Sequence, residues 1–193
     1  MEIFEVLDNI INNLLNLLGS WGALLGCVFI LFESIIPILP LSVFITVNFV
    51  TFGNIIGFVI SWVFTVMGCM MSYFIFKKGV SVEKLNKLRE MKGVGKIIKA
   101  VQKMSFKNLV ILIAIPFTPA FAVNIAAGIC KIDTKKYLYA LMLGKISLVY
   151  FWGYIGVSLL ESLKNPLILI KVFIIVFIVY IISMIFSKKL NVK

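Results

Sequence analysis

The chain has 193 residues, 62% of them hydrophobic, with a mean hydropathy of +1.11. Ordinary soluble domains are about half apolar, so this composition excludes a soluble module and predicts an all-α integral membrane protein of one domain, 1–193. The net charge of +11 is gathered in clusters, which argues against nucleic acid as a partner and for a cytoplasmic face that meets anionic lipid.

In chain order, residues 1–19 predict an interfacial helix. Ile3, Leu7, Ile10, Leu14 and Leu17 share one face, and Glu5, Asn9, Asn12 and Asn16 hold another. Glu2, Glu5 and Asp8 stand where a cleaved signal peptide carries basic residues, so none is expected. Residues 20–52 follow as an apolar stretch with Glu33 as its only charge. It is too long for one crossing of a core about 30 Å thick and too short for two. Pro37 and Pro40 lie near its middle, and proline breaks a helix by removing a backbone donor. The stretch therefore predicts a re-entrant hairpin. Residues 53–76 predict a full crossing in which Gly53, Gly57, Ser61, Thr65 and Cys69 form a stripe of small side chains every four residues. Such a stripe suits close helix packing, including a homo-oligomer contact through Gly53, Gly57 and Ser61, or it lines a polar path. Segment 77–107, with ten Lys/Arg, predicts a basic amphipathic segment on the cytoplasmic lipid surface or a solvated loop.

Residues 108–130 carry a second Pro-x-x-Pro pair, Pro116 and Pro119. Each pair is followed by an asparagine and then a glycine: Asn48 and Gly53, then Asn124 and Gly128. By length this segment could cross, but charge decides otherwise. If it re-enters, and 137–158 and 167–187 cross, then sixteen of the nineteen basic residues share the cytoplasmic side, C-terminus included. The two hairpins then enter from opposite faces as an inverted repeat, and paired breaks of this kind mark transporter sites.

Few side chains in the apolar segments carry chemistry. Cys27, Cys69 and Cys130 have no metal-ligand spacing and the chain has no histidine, so no metal site, cofactor or enzymatic nucleophile is expected. Glu33 is a proton carrier or counter-charge, or else caps backbone freed by Pro37. Lys145 either snorkels to the interface or faces inward, toward Glu33 or a substrate phosphate. Asn48, Asn124 and Thr118 either satisfy local backbone or line a polar cavity.

Phe32-Glu33-x3-Pro37-x2-Pro40 with Gly53 and Gly57, then Pro116-Phe117-x-Pro119 through Asn124-x-Ala126-Ala127-Gly128, resemble the DedA superfamily, in its VTT-domain or SNARE-associated branch. Leu143-Gly144-Lys145 and Tyr154-Ile155-Gly156 resemble the next helix of that branch, and the similarity spans about 20–160. The resemblance implies two opposed re-entrant hairpins and a role in moving lipids across the bilayer. The family usually has arginine three residues before the first proline of the second hairpin, where this chain has Ile113; in the DedA branch proper a second arginine stands where this chain has Pro119. Three functions follow as expectations: a plasma-membrane translocase for an anionic or phosphate-headgroup lipid, a structural or partner-binding membrane protein, or a small-ion antiporter.

Overall fold

The computed structural model describes residues 26–36, 40–79, 90, 98, 100–102, 104–163 and 165–189. The expected interfacial helix 1–19, Pro37 and most of the basic segment 77–107 lie outside the described residues. Among the described residues all regular structure is helical: α1 (26–33), α2 (Leu41–Gly79), α3 (Phe106–Ala114), α4 (Ala120–Ile129), α5 (Thr134–Ser162) and α6 (Leu167–Lys189). Among the described residues, three stretches are long and apolar enough to cross a membrane: Leu41–Gly79, Thr134–Ser162 and Leu167–Phe186. The α3 and α4 helices, with nine and ten residues, rise only about 15 Å each and cannot cross alone.

Local chemistry accounts for these boundaries. Ile115, forced into extended backbone by Pro116, ends α3 (φ −73°, ψ 117°). Pro119 then sits at the N-cap of α4, as Pro40 immediately precedes α2. Two further caps are side chains. Ser105 accepts from the Asn108 amide at 3.4 Å, and Asp133 accepts from that of Lys136 at 2.8 Å. The C-terminus of α4 closes as a Schellman motif. Ile132 N–H donates to the Ala127 carbonyl, Lys131 N–H donates to that of Gly128, and Lys131 takes the left-handed conformation (φ 49°).

The α2 helix departs from a simple crossing that starts at residue 53. Helix already runs from Leu41, and the chain breaks only at Gly53 (φ 76°, ψ 172°), a conformation essentially reserved for glycine. Gly53 is exposed, and a Cβ there would meet nothing within 4 Å. It belongs to the small-residue stripe by spacing, yet its work is conformational. The rest of the stripe packs inward. Gly57 lies against the Asn48 backbone, and Ser61, Thr65 and Cys69 are buried. Within the chain the Gly57 and Ser61 part of the stripe is covered, while Gly53 stays open.

The central helix is α5. It packs against α2, α3 and α6, while α2 also packs against α4. Glycines let the neighbours approach. A Cβ on Gly144 would lie 2.7 Å from Ile113 of α3, one on Gly153 would enter the Phe49 ring, and one on Gly156 would enter the Thr46 side chain. Two apolar clusters result, one around Tyr73, Leu109, Leu112 and Tyr137, the other around Ile30, Ile45, Phe49 and Leu148. The α6 helix touches mainly α5 and exposes large apolar side chains such as Phe173 and Phe177, as a lipid-facing helix does.

Candidate functional site

The two proline breaks meet. Glu33, Pro40, Leu41 and Ser42 from the first, and Pro116, Thr118, Pro119, Ala120 and Phe121 from the second, line one cavity of about 380 Å³ that α5 closes with Leu148 and Trp152. Its volume falls in the range of about 300–1,000 Å³ usual for small-molecule sites. The first turns of α2 and α4 form part of its wall. A helix N-terminus carries unpaired amide groups and a partial positive charge, so two of them converge on this space.

A smaller chamber of about 10 Å³ adjoins it, lined by Ile113, Asn124, Leu141 and Lys145 among others. That is room for about one water. Thr118, Ala120 and Leu148 line both spaces and form the shared wall. Lys145 is only 1% exposed and, among the described residues, is the only charged side chain in the buried set. It makes no hydrogen bond to any described residue, and no ion pair closes between it and Glu33. Glu33 nevertheless lies within the field of its ammonium group. Lys145 does not snorkel to an interface; it faces inward. Ile113, where the resemblance expects arginine, is in the wall of the chamber that Lys145 enters from the opposite helix.

Asn124 links the elements around this site. Its Nδ2 donates to the Ser34 carbonyl at 3.2 Å, and its Oδ1 accepts from the Tyr137 hydroxyl at 2.6 Å. Thus α5 holds Asn124 through Tyr137, and Asn124 in turn holds the turn that follows Glu33. The amide caps backbone of the other proline break, 90 residues away in sequence, instead of its own. Gly128 allows the same face of α4 to close on α2, since a Cβ would lie 2.7 Å from the Tyr73 carbonyl.

Of the residues singled out in the sequence, Glu33, Lys145, Asn124, Thr118, Pro40, Pro116 and Pro119 come together here. Asn48 does not. It is fully buried, lines neither space, and donates to Ser61 Oγ at 3.0 Å, tying the two parts of α2 together. Ser34, Tyr137 and Trp152 had no site role in the sequence reading, and Phe117 entered only within the Pro116-Phe117-x-Pro119 motif. Phe117, at the second break, stacks edge-on with Trp152 and with Tyr180 of α6 at centroid distances of 6.0 and 5.6 Å. A tyrosine inside an apolar helix did carry a signal, because its buried hydroxyl needs a partner.

Comparison with known proteins agrees with the motifs. The VTT domain matches residues 36–158. The chain is similar to the uncharacterized membrane protein YhjE of Bacillus subtilis (strain 168), with 30% identity over 148 residues, covering 77% of this chain and 72% of that protein. No solved structure matches. With the domain match reaching from the first proline break through the glycines of α5, the chain belongs to the VTT-domain family of DedA membrane proteins.

Proposed function

We propose that this protein is a lipid translocase of a bacterial-type plasma membrane. A phosphate-bearing headgroup occupies the cavity between the two proline breaks while its acyl tails stay in the bilayer. The observation that carries this reading is the lining of that cavity, in which Glu33 and both breaks share about 380 Å³. In this reading the two breaks are tips of re-entrant hairpins entering from opposite faces. The short arms of α3 and α4 support it, as does the charge census, which favours a cytoplasmic basic segment and C-terminus. Irregular backbone survives at membrane depth only where it lines a cavity or is covered by protein. Glu33 acts as the counter-charge and gate, and Lys145 meets the phosphate.

The test is transbilayer lipid movement in liposomes holding the purified chain. Movement above protein-free vesicles is expected, falling at least tenfold in Glu33→Gln. Equal rates for both proteins would remove the gating role, and rates no higher than in empty vesicles would remove the class. One observation favours a second reading, small-ion exchange: the chamber at Lys145 admits only a water-sized particle. That reading predicts ion flux without lipid flux in the same vesicles.

A further inference from the structure

A groove of about 490 Å³ lies between Ile55 and Phe58 of α2 and Tyr150, Tyr154, Val157 and Glu161 of α5. It shares no lining residue with the cavity between the proline breaks. The groove is open to its surroundings, with Ile55 81% and Tyr150 63% exposed. From Tyr150 to Glu161 its α5 wall rises about 16 Å, half of a hydrocarbon core about 30 Å thick. Glu161 marks its polar end, one residue before the C-terminus of α5, and forms no ion pair with any described residue. A helix C-terminus carries a partial negative charge, so carboxylate and dipole together attract a cation there.

The chain carries a complementary surface on α6. Leu167, Lys171, Ile174, Ile178 and Ile185 recur at helical spacing and are exposed. Lys171 is the only charge between Leu167 and Phe186, and it too has no ion pair with any described residue. Because only residues 163–166 join α5 to α6, Glu161 and Lys171 approach the same membrane face. Lys171 lies four residues into α6, so the two differ in depth by about one helical turn or less. Copies inserted in one orientation therefore present opposite charges at one level.

We propose that the groove receives α6 of a second copy of this chain, with that copy's Lys171 against Glu161. Residues 1–76 contain no basic side chain, so no earlier segment of the chain supplies the cation. A lipid tail fills the apolar length but leaves both charges unmatched. A second copy matches both and sets an ordered ridge of side chains into the groove. Packing and polar contacts of this kind drive helix association in lipid, where no hydrophobic force acts between helices. Each copy carries both halves of the contact, and the contact is independent of what the cavity between the proline breaks carries.

The experiment co-expresses full-length copies, fused at the C-terminus to a donor or an acceptor fluorescent protein, in bacterial membranes. Energy transfer is read against an acceptor fused to an unrelated membrane protein. Native copies are expected to transfer well above that background. Glu161→Lys alone and Lys171→Glu alone should each lower transfer at least threefold. A Glu161→Lys copy mixed with a Lys171→Glu copy should regain it, because each reversal then meets its complement, and a misfolded variant cannot be rescued in this way. Background transfer by the native chain would leave the groove to bilayer lipid and overturn the proposal. Full transfer in both single reversals would place the contact on another surface and overturn it, as would loss without recovery on mixing.

Discussion

At the scale of single residues, similar letters do different physical work. Gly53 and Gly57 sit four apart, yet one is required by its backbone and the other by its neighbour. Gly53→Ala should therefore destabilise by about 1–3 kcal/mol although it fills empty space, because alanine cannot hold φ 76°, ψ 172° cheaply. Thermal unfolding in detergent measures this, and an unchanged midpoint would contradict it. Asn124 makes a second case. Its amide joins Ser34 and Tyr137, so Asn124→Ala and Tyr137→Phe should be non-additive, with a coupling of about 1 kcal/mol in a double-mutant cycle. Additive losses would mean that the bridge is not shared. Glu33 and Lys145 were legible in the sequence because a charge in an apolar run has few explanations. The role of Asn124 was not, since a hydrogen bond to Ser34 spans 90 residues and obeys no local spacing.

At the scale of elements, the breaks were readable and the packing partners were not. Pro116 and Pro119 end one helix and begin the next, consequences of covalent structure that hold in any tertiary setting. The stripe after residue 53 was legible as a packing face, but not that Gly57 and Ser61 meet the preceding arm of the same helix while Cys69 meets Ser34. For α5 the sequence shows Gly144, Gly153 and Gly156 without saying what approaches them. The structure places Ile113, Phe49 and Thr46 there. The contact at Gly156 is with a side chain that also donates to the Ser42 carbonyl at 2.7 Å, so it cannot swing away freely. Gly156→Ala should cost stability, and adding Thr46→Ala should recover most of the loss. Failure of the second substitution to rescue the first would show that α5 and α2 are not held apart at this point.

At the scale of the whole molecule, α5 organises the protein. It receives the α3 arm at one glycine and the α2 arm at two others, it supports Asn124 through Tyr137, and it carries Lys145 into the chamber behind the second break. Both breaks are thereby held around one space, which is what a headgroup path through the centre of a small membrane protein requires. Composition and charge clustering exposed the membrane class and the number of long apolar helices. The paired proline breaks pointed to one shared site, but not to the residues of α5 that complete its wall, because convergence depends on contacts among three separated segments. The most direct measurement is lipid movement in liposomes by a variant that plugs this cavity without touching either charge, Ser42→Trp, compared with the native chain at equal folded protein. Movement is expected to fall to the level of protein-free vesicles. Native rates in the plugged variant would contradict it, placing the lipid path elsewhere.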